Sequence, residues 1–313
     1  TFGGVLGGTT NLSSLSVTTS GDISIGGNIT TVGTQTYSGP VVLAADATLS
    51  SLGQNTTTTY NYSASVQNVT ISGSSVTVTL VGGGGGVGGN DGCCTGMGGG
   101  LSGSYTATLS VTPGTTLQLA PGAGGSAGTC CASSAAGGAG GTNALSIAAG
   151  GQGGYAGSNG SSGGAGGGGA ASVIRIGTSG SDYIFAGGAG GGAGANNTSG
   201  DGETAGTNNG TYLGAGIYAG RVGPGAGQTS TYTVSTTGPV DGGGSGGGGG
   251  GLQGGTTAFG SRPSSEWRGL GGNRGSNGVT SGVSVTGVTD TTIQLANSAN
   301  GYITLTVSTT PGI

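Results

Sequence analysis

Glycine supplies 85 of the 313 residues, and it comes in runs rather than singly. Residues 82–86 and 166–169 are unbroken glycine, and 242–251 is interrupted only by Ser245. A Gly/Ser tract ordinarily reads as a flexible linker. Ordering it is costly, because glycine loses more backbone entropy on folding than any other residue. The groups that can offset that cost are the backbone amides and carbonyls, which must find partners wherever they are buried. The expected solution is a bundle of extended three-fold helices, hydrogen-bonded side by side. Collagen shows the principle, since only glycine fits where three such chains crowd an axis.

The rest of the composition agrees with a fold held by its own backbone. Charged residues are 4% of the chain, and histidine is absent. The five cations are all arginine, at Arg175, Arg221, Arg262, Arg268 and Arg274, against nine acids. So few cations argue against nucleic acid, which needs several to displace counterions from phosphates. They argue equally against an anionic membrane surface. No stretch approaches the roughly 18 apolar residues of a membrane-spanning helix. No charged and apolar leader opens the sequence, so the expectation is that any secretory signal has been removed. Leu, Glu, Lys, Arg and Met are scarce, while Thr, Val, Ser and Tyr dominate the segments between glycines, which favours strands. The expected class is all-β, with almost no α-helix.

The four cysteines are two adjacent pairs, Cys93–Cys94 and Cys130–Cys131, each in a glycine-rich loop. A metal site is the alternative, but adjacent cysteines without histidine are not a zinc ligand pattern. Two parallel bridges between the loops are the preferred reading. One such bridge would contribute roughly 3–4 kcal/mol through loop closure. Disulfides point outside the cytosol. Asn-x-Ser/Thr sites recur, as at Asn11, Asn28 and Asn55, and license glycosylation only in a eukaryotic source.

Catalytic chemistry finds no footing. Without histidine there is no Ser-His-Asp triad and no His-ligated metal. Without lysine there is no Schiff base and no Lys-Asn crosslink. Gly-x-Gly-x-x-Gly matches are inevitable at this composition, and none opens a helix. Asp201 and Glu203, with Asn208 and Asn209 nearby, offer oxygens for calcium, although a solvated loop tip explains them better. No cofactor and no metal site is expected. Residues 256–277 stand out, because they gather Phe259, Arg262, Glu266, Trp267, Arg268 and Arg274. Trp and Arg are over-represented at binding hot spots, so this stretch is the candidate contact surface. The plainer alternative has Trp267 plugging a thin core while Glu266 pairs with a neighbouring arginine.

Residues 1–58 differ from the rest. Short alternating strands, Asp22-Ile23-Ser24-Ile25 and Val41-Val42-Leu43, are separated by Gly, Asn and Thr turns. This segment resembles the repeats of filamentous-haemagglutinin-like bacterial surface proteins, which stack as β-solenoid coils. It is expected to be a strand-rich extension that packs on the remainder or exchanges strands with a neighbour. In residues 59–313, strands border glycine runs: 76–89 (VTVTLVGGGGGVGG), 105–125 with its Pro113-Gly114 turn, 171–177, 181–194 and 300–308 (NGYITLTVS). That succession is similar to the glycine-rich domain of bacterial surface proteins and of the anaplastic lymphoma and leukocyte receptor tyrosine kinases. The adhesins of phage long tail fibres also use such helices. The resemblance implies a small antiparallel β-sandwich carrying a bundle of polyglycine-type helices.

Together these readings point to a secreted, extracellular structural protein: the subunit or module of a bacterial surface filament or biofilm matrix, with itself as partner. The alternative is a receptor-binding adhesin module that takes cell-surface glycans or proteins. Flat, threonine-rich, low-charge polyglycine bundles also suit ice, but nothing in the sequence distinguishes a regular ice-matching face.

Overall fold

The computed structural model describes residues 1–91, 95–131, 135–156, 162–195, 206–209, 241–242, 246–255, 266–267 and 271–309. Among these residues there is no α-helix, so the described part of the chain is all-β. The first part is a stack of parallel coils. Its strands are β1 (Leu15–Thr18), β2 (Ile23–Ile25), β3 (Ile29–Thr31), β4 (Gln35–Ser38), β5 (Val41–Leu43) and β6 (Leu49–Ser51). β1 pairs with β4, β2 with β5 and β3 with β6, all in parallel. Leu15 faces Gln35, Ile23 faces Val41 and Ile29 faces Leu49, separations of 20, 18 and 20 residues. Bridges from Phe2 to Ile25 and from Leu6 to Ile29 add an earlier layer. The middle layer closes a small core of Ile23, Ile25 and Ile29, packed against Phe2, Leu6, Leu15 and Leu49.

The second part is a sandwich of β7 (Gln54–Asn61), β8 (Gln67–Thr70), β9 (Ser75–Val81), β10 (Ser102–Ser110), β11 (Thr116–Ala120), β12 (Ser172–Ile176), β13 (Tyr183–Ala186) and later strands. Of the later strands, β18 (Gly278–Val279), β19 (Val285–Ile293) and β20 (Tyr302–Thr309) belong to it, while β14 (Gly206–Asn209) pairs with β17 (Asn273–Arg274) and β15 (Asp241–Gly242) with β16 (Glu266–Trp267) in separate two-stranded sheets. One sheet runs β19-β10-β9-β20-β7 and the other β18-β13-β12-β11-β8, each antiparallel throughout. Alternating residues Val76, Val78, Leu80, Ala107, Leu109, Ile303 and Leu305 of the first sheet meet Leu117, Leu119, Ile174 and Ile184 of the second. The period-two pattern of these strands is what commits one face of each to the core. β7 starts at Gln54 and pairs with β20 along its whole length. The break between the two parts therefore falls at Leu52–Gly53, where Gly53 takes φ +76°, ahead of the expected 58/59 division.

Register fixes where the glycine goes. Val81 faces Ser104 and Tyr302, while Ser172 faces Ala186, all at one end of the sandwich. The connections β9–β10, β11–β12 and β13–β18 all leave from that end. Between them run extended glycine-rich segments that bond to one another every third residue. Gly83, Gly86 and Gly89 donate to the carbonyls of Ala170, Gly167 and Gly164. Gly169, Gly166 and Gly163 donate to Ala189, Gly192 and Ala195. Segment 162–171 also exchanges bonds with 121–131, 135–142, 149–156 and 246–251, so six segments surround it. A Cβ on Gly166 would overlap the Gly86 carbonyl, and one on Gly168 that of Gly248. The side chains that do enter the interior of these segments are small, as at Ala165, Ala189 and Ala193, while larger ones such as Val87 and Asn90 sit at partly or fully exposed positions.

Candidate interaction surfaces

Of the expected contact surface, Phe259, Arg262 and Arg268 lie outside the described residues. Glu266 and Trp267 form β16, whose backbone pairs in parallel with Asp241 and Gly242. Arg274 is a correction: it is 3% exposed and belongs to the interior. Burial lowers its pKa, and the nearby Asp290 carboxylate opposes that shift. The space it fills exists because Gly103 has no side chain; a Cβ there would overlap Asn277 Oδ1 and approach Arg274 Nη1. Asn277 is the connector of this nest. Its Oδ1 accepts from Gly187 N at 2.7 Å, and its Nδ2 donates to Asp290 Oδ1 at 2.6 Å and to Ser104 O at 3.2 Å. Glycine at one position thus makes room for a cation at another, which no local pattern reveals.

Cys93 and Cys94 lie outside the described residues. Cys130 and Cys131 are exposed and are not joined to each other. Cys131 N donates to Asn90 O at 3.2 Å, which sets the start of one cysteine loop beside the other. A hydrogen bond with Cys130 is the main cause that pushes the Cys131 thiol pKa up, with Asp91 adding to it. Asp201 and Glu203 are likewise outside the described residues, and among those described no three His, Cys, Asp or Glu side chains gather as a metal site.

Two surfaces emerge that the sequence reading did not mark. One is the third coil of the N-terminal stack. Val41, Val42 and Leu43 are 42%, 46% and 53% exposed, whereas Ile25, directly beneath Leu43, is fully buried. The other is the outer face of the sheet containing β9. Thr59, Thr304, Thr79, Thr106 and Thr289 stand in register across five strands. Thr57, Thr306, Thr77, Thr108 and Thr286 form a second such row. The T-x-T spacing within β9, β10 and β20 was the available signal.

A scan against family models finds no match for this chain, and a search of curated proteins finds none either.

Proposed function

We propose that this protein is an extracellular structural protein, a self-assembling module of a bacterial surface fibre or matrix. The observation that carries the reading is the uncapped third coil. In stacked-repeat architectures each layer covers the one below, and terminal layers need a polar cap to stay soluble. Here Val41, Val42 and Leu43 remain open beside an unpaired parallel edge. A parallel edge adds a further strand through its backbone groups, and a head-to-tail contact that does not close produces a filament.

The glycine-rich segments supply a rigid body for such a module. We read them as three-fold polyglycine-type helices bundled around 162–171. Bonds that recur every third residue match a helix of three residues per turn. Among the described residues, no glycine of these segments takes a left-handed φ, as a single-handed helix of this kind requires. Gly122, Gly125 and Gly128 all face 162–171, so one face in three is glycine throughout.

Electron microscopy of the purified chain tests the assembly reading. Regular filaments that disappear in Leu43→Lys, with melting of the sandwich unchanged, are expected. Dispersed particles at all concentrations would overturn it and favour the adhesin alternative.

A further inference from the structure

We infer that the threonine-bearing outer face of the β19-β10-β9-β20-β7 sheet binds the surface of ice. Each of the two rows holds five threonines, one from every strand. The rows contain no charge and no aromatic ring, and the one tyrosine on that face among the described residues, Tyr302, stands beyond the end of the first row beside Asn61 and Val81. Asp290, the carboxylate of β19, is in register with the buried Tyr105 and therefore belongs to the opposite face. Thr57 and Thr306 hydroxyls bond at 2.9 Å, Thr59 and Thr304 at 3.1 Å, Thr77 and Thr108 at 3.2 Å, and Thr79 and Thr106 at 2.9 Å. These bonds hold the side chains in one arrangement before anything binds.

The lattice they present is close to that of ordered water. Neighbouring strands lie about 4.7–4.9 Å apart, and alternate residues on one strand about 6.8 Å apart. Water oxygens bonded at about 2.75 Å in tetrahedral geometry place second neighbours about 4.5 Å apart and repeat along the stacking axis about every 7.3 Å. The mismatch is then about 0.3 Å per strand, or roughly 0.9 Å across the regular strands β7, β20, β9 and β10, and about 0.5 Å between the two rows. On β19 a bulge sets Thr286 and Thr289 three residues apart, so the match rests on the other four strands. Each hydroxyl keeps acceptor capacity after bonding its neighbour, and each γ-methyl covers apolar surface between water positions. A protein partner would call for charged or large apolar anchors, and a sugar for carboxylates or stacking rings. The rows offer neither.

The test is partition into a slowly growing ice hemisphere, with recrystallisation inhibition as a second readout. The unmodified chain is expected to be enriched in ice at least tenfold over an inert protein of similar size. Thr79→Lys and Thr106→Lys, at the centre, are expected to fall to the inert level, as is Thr57→Lys on the exposed edge strand. Thr112→Lys, in a turn away from the rows, is expected to behave as the parent. Unchanged circular dichroism and melting in Thr57→Lys keep the comparison valid if a central variant misfolds. Partition no better than the inert protein overturns the inference. So does binding to insoluble chitin or cellulose without ice affinity, or a dimer abolished by Thr57→Lys. None of these outcomes depends on whether the third coil assembles into filaments.

Discussion

Gly166→Ala isolates what glycine does in the interior of the segment bundle. Gly166 N donates to Gly192 O at 2.8 Å, and Gly166 O accepts from Gly247 N at 3.1 Å. The added methyl points at the Gly86 carbonyl and needs about 1 Å more clearance to reach an allowed contact. Segments 82–91 and 162–171 must move apart by that amount. Gly86 N to Gly167 O, now 2.9 Å, then exceeds hydrogen-bond range, and the bond from Gly192 N to Gly86 O at 2.9 Å is strained with it. Each buried group left without a partner costs about 1–3 kcal/mol. Alanine returns about 0.4–1 kcal/mol by restricting the unfolded chain. The net expectation is a loss of about 3 kcal/mol, or a melting temperature lower by roughly 6–12 °C for a unit of this size. The matched control is Gly98→Ala, whose methyl meets only the Asn297 side chain, 3.4 Å away at closest. It is expected to stay within about 0.5 kcal/mol of the parent. Thermal unfolding followed by calorimetry reads both. Equal melting of the two variants would refute the close-packing argument.

Tyr105 is 5% exposed, and burial raises its pKa above the ordinary 10.0, with Asp290 adding to the shift. The neutral phenol therefore favours the folded state. Its contribution is complete below pH 10 and is lost as pH rises through the raised value. Urea midpoints should fall between pH 9 and pH 11, and Tyr105→Phe should flatten that fall; identical slopes would count against it. For the cysteines, peptide mapping without reduction should recover Cys93 and Cys94 joined to Cys130 and Cys131, whereas four alkylated thiols would reject the bridges. A chain beginning at Gln54 keeps β7 and should melt as one folded unit without forming filaments; one beginning at Thr59 loses most of β7 and should be less stable.

Apolar alternation made part of this fold legible. β9, β10, β11 and β20 carry a buried face that repeats every second residue, whereas β12 and β13 are short apolar runs buried on both faces, and the sequence marks both kinds. β2 and β5 were equally visible, although their pairing with each other needed the structure. β7 (QNTTTTYN) and β19 lack that alternation, because both are sheet edges with mostly exposed side chains. The domain break was accordingly set too late. The threonine rows escaped notice for a different reason. Residues 57, 77, 108, 286 and 306 meet only through sheet order, and no window along the chain contains them together. Arg274 was misplaced because its burial depends on the missing side chain of Gly103, far away in sequence. The glycine tracts carried a signal finer than composition: in 82–90, non-glycine residues occupy only positions 87 and 90, three apart on one face, and the third member of that face, Gly84, is the one crowded by the Ala296 carbonyl.

Asn277 shows how tightly the edge strand and the glycine-rich segments are tied, and Asn277→Asp measures it. The residue is 8% exposed and touches three parts of the fold: Gly187 at the end of β13, Ser104 in β10 and Asp290 in β19. Aspartate keeps the acceptor for Gly187 N but loses the donor to Asp290. It sets two carboxyl groups within hydrogen-bond distance, and such a pair resists full ionisation. One of the two therefore has its folded-state pKa raised. The sign follows from that: stability is full below the unfolded value of about 3.9 and is lost as pH rises through the raised folded value. Arg274 faces the same nest and Asp290 is solvent-exposed, so the repulsion is partly offset. About 2 kcal/mol is the expected loss at pH 7. At pH 3.5, where a shared proton restores a donor, the variant should come within about 0.5 kcal/mol of the parent. Asn277→Ala, which leaves Gly187 N without its acceptor, should be destabilised by about the same amount at both pH values. An Asn277→Asp deficit that does not change between pH 3.5 and pH 7 would mean that Asp290 does not share its bond with residue 277 in solution. The edge strand would then be held by its ladder with β10 alone.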